Sequence, residues 1–182
     1  MQVLSRLLAG LAALMLLAAP AAAQEGSGTV LTVTGDIGTT NRGAFDAFHD
    51  GFLKYHEAKF DKAFEFDRAA LAALPRQEIT ANADGWPAAV KLAGPKLADV
   101  LAAAGATGKA ITVYAMDGYG ANMSTEQIAA HDWVLAMDAD GKPLGIGGRG
   151  PLWLAYDTGA DKATTEEEGA WVWSVFHIAV GE

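Results

Sequence analysis

The stretch Asp140-Gly141-Lys142-Pro143-Leu144-Gly145-Ile146-Gly147-Gly148-Arg149-Gly150-Pro151-Leu152-Trp153-Leu154-Ala155-Tyr156 packs three signals into one passage. Asp140-Gly141 is a hairpin turn pair. Asp138-Ala139-Asp140-Gly141 also opens like a calcium loop, but the acidic ligand required farther along is absent. The glycines at 145, 147, 148 and 150 lack the Gly-Lys-Ser/Thr of a phosphate-binding loop, and no helical pattern follows them. They say only that backbone approaches something closely. Leu152–Tyr156 is then a short apolar run of strand length.

Working outward, Trp133–Met137, Ile111–Met116 and Val30–Thr34 read as further short strands, and Trp171–Val180 as a last one. Phe64-Glu65-Phe66 alternates like a strand. Asp67 follows as the N-cap of a short helix through Leu74 that Pro75 stops. Asn41 is placed to cap a helix from Ala44 to Tyr55, with Phe45, Phe48 and Phe52 on one face. Leu97–Ala103 is a helix closed by Gly105. Short strands mixed irregularly with short helices predict an α+β fold with mixed β-sheets rather than a doubly wound sheet.

The chain has 182 residues, 51% of them hydrophobic, enough for one core. Its 13 basic side chains stand against 22 acidic ones, a net charge of -9. That balance excludes the basic face that nucleic-acid binding requires and disfavours an anionic lipid surface. The absence of cysteine removes disulfides, iron–sulfur clusters, thiolate zinc sites and cysteine nucleophiles together.

The first residues have the form of a signal peptide. Arg6 supplies a basic start, Leu7–Ala19 an apolar run, and Ala21-Ala22-Ala23 the small residues before a cleavage point at Gln24. The run is shorter than the roughly 20 residues of a membrane span. The expected organisation is therefore a signal peptide over residues 1–23 and one domain over residues 24–182, exported to the periplasm with no membrane insertion after cleavage.

Residue chemistry alone names no catalyst. His49 and His56 are seven apart, whereas metal pairs on a helix stand three or four apart. Ser124 and Ser174 belong to no nucleophile signature, and Glu166-Glu167-Glu168 reads as a solvated loop.

The order of four segments carries more. They are Leu31-Thr32-Val33-Thr34-Gly35-Asp36-Ile37; Trp86 with Leu92-Ala93-Gly94-Pro95 through Leu101 and Gly105; Asp117-Gly118-Tyr119-Gly120-Ala121-Asn122; and Asp140-Gly141 through Arg149-Gly150-Pro151-Leu152-Trp153 to Trp173-Ser174-Val175. In this order the chain resembles the molybdopterin-binding domain of the sulfite oxidase superfamily, in a small exported form. The resemblance runs from about Val30 to Ile178 and implies the α+β sulfite-oxidase fold, whose cleft holds a pterin. In catalytic members a cysteine four residues before the tryptophan ligates molybdenum; here that position is Asn82. A carboxamide is a poor ligand for a soft, sulfur-bound metal. Few basic residues beyond Arg149 lie near the expected cleft to hold a cofactor phosphate. No catalytic residue, no metal ligand and no molybdenum are therefore expected.

The resemblance also implies what such a cleft could hold: a phosphate-free pterin, expected in reduced form. The segments bounding it are Asn82–Trp86, with Asp84 between, Asp117–Tyr119 and Gly148–Arg149. Trp86 and Tyr119 could stack on the ring, Asn82 and Asp117 could pair with its aminopyrimidinone edge, and Arg149 could reach an oxygen. Each also has a plain structural reading: core packing for Trp86, Trp153 and Trp173, a turn for Asp117, and a surface salt bridge for Arg149. The small, cysteine-free form resembles periplasmic pterin-binding regulators that contact the periplasmic domain of a transmembrane diguanylate cyclase/phosphodiesterase, which makes and degrades cyclic di-GMP. Two other functions stay open: a molybdopterin-dependent oxidoreductase, and an accessory subunit with a vestigial cleft.

Overall fold

The computed structural model describes residues 28–181; the expected signal peptide, residues 1–23, lies outside them. In chain order the elements are β1 (Leu31–Gly35), α1 (Gly51–Tyr55), β2 (Phe64–Phe66), α2 (Arg68–Ala72), β3 (Arg76–Ala81) and β4 (Val90–Pro95). Next come α3 (Leu97–Ala103), β5 (Ile111–Ala115), β6 (Gly120–Met123), α4 (Thr125–Ala130), β7 (Val134–Ala136), β8 (Asp138–Ala139) and β9 (Lys142–Pro143). The chain ends with β10 (Trp153–Ala155), α5 (Thr165–Glu168), β11 (Val172–Trp173) and β12 (Val175–Val180). Mixed sheets with short helices agree with the α+β class. No helix among the described residues is long and apolar enough to cross a membrane.

Three sheets form, in the orders β2-β1-β12-β5-β6, β11-β10-β7 and β3-β4-β8-β9. Only the β1–β12 pair among them is parallel. In the five-stranded sheet the alternation of side chains separates two faces. Leu31, Val33, Ile111, Val113, Ile178 and Val180 fill the core. The opposite face is polar yet partly covered. There Thr34 shares a 2.8 Å hydrogen bond with His177, Thr112 donates to Asn122 at 2.8 Å, and Tyr114 stacks on His177. Burial, with a smaller contribution from His56, pushes the His177 imidazole down to about 4.

Several expectations match local chemistry. Asp67 accepts from the Ala70 N–H at 2.7 Å and starts α2. The helix Leu97–Ala103 has the predicted bounds, and Gly105 follows it at φ +68°. Asp140 and Gly141, both at positive φ, form the β8–β9 hairpin turn.

Three expectations are corrected. The helix predicted over Ala44–Tyr55 is only α1, Gly51–Tyr55. Asn41 instead pairs with the backbone of Glu65 in both directions, at 2.9 and 2.7 Å, while Asp46 accepts from the Phe48 and His49 N–H groups. These side chains satisfy backbone groups outside a helix, the usual competition from Asn and Asp, and Phe48 is left 86% exposed. The single strand expected over Trp171–Val180 is divided into β11 and β12 at Ser174, whose φ is +55°. Glu166–Glu168 belong to α5 rather than to a loop: Thr164 and Glu167 form a reciprocal capping box.

Candidate functional site

Four of the five tryptophans in the chain meet at one end of the three-stranded sheet. β10 and β11 place Trp153 opposite Trp173 in register. The turn after β3 brings in Trp86, whose ring lies 5.5 Å from Trp153 and 5.6 Å from Trp171, edge-on to the latter. With Arg149 and Glu168 they line an open recess of about 330 Å³. Trp153 and Trp171 are buried, Trp86 is half-buried and Trp173 is exposed.

The polar groups are fixed from different parts of the chain. Trp86 Nε1 donates to Glu168 Oε1 at 2.7 Å, a charge-assisted bond that ties the indole to α5. The Arg149 guanidinium lies 5.3 Å from the Trp86 ring centre and 4.6 Å from that of Trp153. Cation–π attraction of about 0.5–2 kcal/mol holds it there, and it forms no salt bridge among the described residues. Its loop is tied at both ends: Arg68 donates to the carbonyls of Leu144 and Pro151. At the other side the Ser174 N–H donates to the Arg149 carbonyl at 2.9 Å. The left-handed backbone at Ser174 thus links the loop to Trp173.

The expected residues divide into three groups. Trp86 and Arg149 line the recess. Asp117 and Tyr119 line a neighbouring one of about 320 Å³, which shares Gly169, Trp171 and Trp173 with the first. Asp117 Oδ1 accepts from the Tyr119 N–H at 3.0 Å, and Tyr119 Oη donates to the Gly169 carbonyl at 2.6 Å, so both are tied into local structure. Asn82, Asp84 and Gly148 line neither recess. The Asn82 N–H donates to Thr158 Oγ1 and its carbonyl accepts from Ala163, while Asn82 Oδ1 is buried without a partner. Asp84 is exposed, with its N–H donating to the Ala163 carbonyl.

Glu168, Gly169, Trp171 and Arg68 were not among the expected site residues. The sequence signal for Trp171 and Trp173 is their spacing of two, which puts both on one face of an extended segment. Glu168 carried none, because it reaches Trp86 only through the turn of α5.

The donor set does not fit a thiolate-ligated molybdenum. The chain has no cysteine, and at position 82 it offers a carboxamide, a poor ligand for a soft metal, on a residue whose backbone is bonded to the 158–163 segment. No group of three or more His, Asp or Glu among the described residues is placed to hold a metal. What the recess offers is aromatic faces, one guanidinium and one carboxylate, a set suited to a flat heteroaromatic molecule.

No protein-family model and no curated protein matches the chain. A solved structure does. The chain is similar to the sulfane dehydrogenase SoxCD of Paracoccus pantotrophus, 19% identical, with a TM-score of 0.55 over 82% of this chain and 37% of that one. The likeness is one of fold. It extends over most of this chain, which spans little more than a third of that enzyme's length.

Proposed function

We propose that this protein is a non-catalytic, periplasmic pterin sensor, a single sulfite-oxidase-type domain over residues 24–182 released by cleavage of residues 1–23. It binds a phosphate-free, reduced pterin and presents its occupied form to the periplasmic domain of a transmembrane cyclic-di-GMP-metabolising receptor. The observation that carries the reading is the four-tryptophan recess with Arg149 over two of its rings. A pterin is flat and has a dense hydrogen-bonding rim. Indole faces supply its stacking partner, and the Glu168 carboxylate and Arg149 guanidinium stand where the rim would lie. The missing thiolate argues against redox turnover in the same cleft. Occupancy changes the surface around Arg149 and Trp173, and differential contact with that surface couples ligand to partner.

The test is anaerobic calorimetric titration of the full domain with a reduced pterin that carries no phosphate. One site per chain is expected. Trp86→Ala should weaken binding about tenfold or more, equivalent to about 1.4 kcal/mol, while Lys142→Ala, on the exposed β9, should bind as wild type. Failure of wild type to bind any pterin, or wild-type binding by Trp86→Ala, overturns the reading in favour of an accessory subunit with an empty cleft. Stoichiometric molybdenum in protein purified from a molybdenum-replete host overturns it in favour of an oxidoreductase.

A further inference from the structure

A third cavity, of about 350 Å³, opens between α1, the adjoining strands β1 and β2, and the far side of the glycine loop. We infer that it is a binding site for organic cations, specifically a primary ammonium carried on a small apolar or aromatic body, and this stands independently of what the tryptophan recess binds. The argument begins with charge. The cavity holds one guanidinium, Arg42, between two carboxylates: Arg42 donates to Glu65 Oε1 at 2.5 Å and, through its other terminal nitrogen, to Asp50 Oδ1. Asp50, its side chain 8% exposed, also accepts from the Asp46 N–H at 2.7 Å. One cation against two anions leaves a surplus negative charge in a partly desolvated place, where such a charge attracts a cation more strongly than it does in water. His49 stands at the same cavity, with Nδ1 3.1 Å from Asp46 Oδ1.

The hydrogen-bonding capacity points the same way. Each terminal nitrogen of Arg42 already donates to a carboxylate, so the charge of the guanidinium is matched before an anionic ligand could use it. Acceptors remain. Glu65 Oε2 takes no hydrogen bond from any described residue. Thr32, which pairs in register with Glu65, is 4% exposed, and its hydroxyl makes no hydrogen bond to a described residue. An ammonium brings three donors and no acceptor, the complement of this set.

The remaining walls are apolar. Phe52 and Phe176 meet edge to face at 4.8 Å, and Ile146 and Met116 extend the surface beside them. Aromatic walls beside a carboxylate are the common surroundings of a bound organic cation. A purely apolar ligand would leave the carboxylates desolvated, and an anion would meet a like charge; both are disfavoured.

The probe is 2-phenylethylamine, protonated at neutral pH, compared with 2-phenylethanol and 3-phenylpropanoate by calorimetry and by NMR of the full domain. The amine should bind at least tenfold tighter than the alcohol, with contacts from its ring to Phe52 and Phe176, and the carboxylate should not bind. Ile146→Lys adds a positive charge at the cavity on a side chain that is 76% exposed, so the fold is untouched. It should weaken the amine at least tenfold. Glu65→Gln, which removes the surplus charge, should do the same. If Glu65→Gln does not fold, Ile146→Lys decides alone. Equal binding of amine and alcohol, probe contacts elsewhere on the surface, or wild-type affinity in Ile146→Lys overturns the inference.

Discussion

Replacing Gly94 by alanine puts a carbon where two sheets touch. Gly94 lies in β4, and a Cβ built on it would stand 2.1 Å from the Leu135 carbonyl oxygen, 2.8 Å from the Ala136 Cα and 2.9 Å from the Leu135 carbonyl carbon. Normal separations between heavy atoms are about 3.5 Å, so the strands must part by about 1 Å or more. All three obstacles are backbone atoms of β7 and cannot rotate away. Nor can β7 retreat, because Leu135 is fully buried and pairs with Leu154 of β10. Overpacking a core costs about 1–3 kcal/mol when side chains can adjust; with backbone on both sides, about 3 kcal/mol or more is expected. In a domain of this size that lowers Tm by about 6–12 °C. Thermal melts followed by far-ultraviolet circular dichroism measure it. The near-ultraviolet spectrum should change as well, since β7 also positions Trp153 through its pairing with Ala136. A Tm within about 3 °C of wild type would refute the close-approach argument.

Further predictions concern pH, capping and metal. The His177 imidazole falls from 6.5 in the unfolded chain to about 4 in the folded one, so between these values the unfolded state binds more protons. The stability contribution is complete above about pH 6.5 and is lost as pH falls toward 4, on the order of 3 kcal/mol in all. Urea titrations across that range should show a shallower slope in His177→Gln; an unchanged slope counts against the assignment. Asp67→Ala removes the cap of α2 and should cost about 1 kcal/mol in the same urea assay; an unchanged midpoint would mean the bond contributes nothing. Asn82→Cys should not load molybdenum, as measured by metal analysis, because position 82 lines neither recess and its backbone is bonded to the 158–163 segment. Near-equimolar molybdenum in that variant would show the position to be open.

Elements whose ends are marked by local chemistry were legible in the sequence: α3 with Gly105 after it, α2 behind Asp67, and the Asp140-Gly141 turn. β3 and β4 were not. Arg76–Ala81 mixes charged and apolar residues, and Gly94-Pro95 in β4 reads as a breaker when its true role is to let β7 come close. α1 was overread because the spacing of Phe45, Phe48 and Phe52 imitates a helix face, while Asn41 is spent on the Glu65 backbone instead of a cap and Asp46 takes the Phe48 and His49 N–H groups. In the candidate site, Trp86 and Arg149 could be picked out as an aromatic and a cation in suggestive segments. Glu168 could not. It meets Trp86 across 82 residues, and no local pattern encodes a contact of that range.

The placement of β12 sets the order in which the molecule can be assembled. It lies between β1 and β5, so the five-stranded sheet has no middle until residues 175–180 join it. Before then the β1–β2 and β5–β6 pairs are separate, and β1 and β5 each present an edge that only β12 covers. The contact that joins them spans 143 residues between Thr34 and His177. Closing so long a loop places the domain among slow folders of high contact order. The central sheet therefore cannot exist until Val175–Val180 has been synthesised, and a nascent chain stopped before Val175 leaves the facing edges of β1 and β5 open for any chaperone or neighbouring chain to pair with.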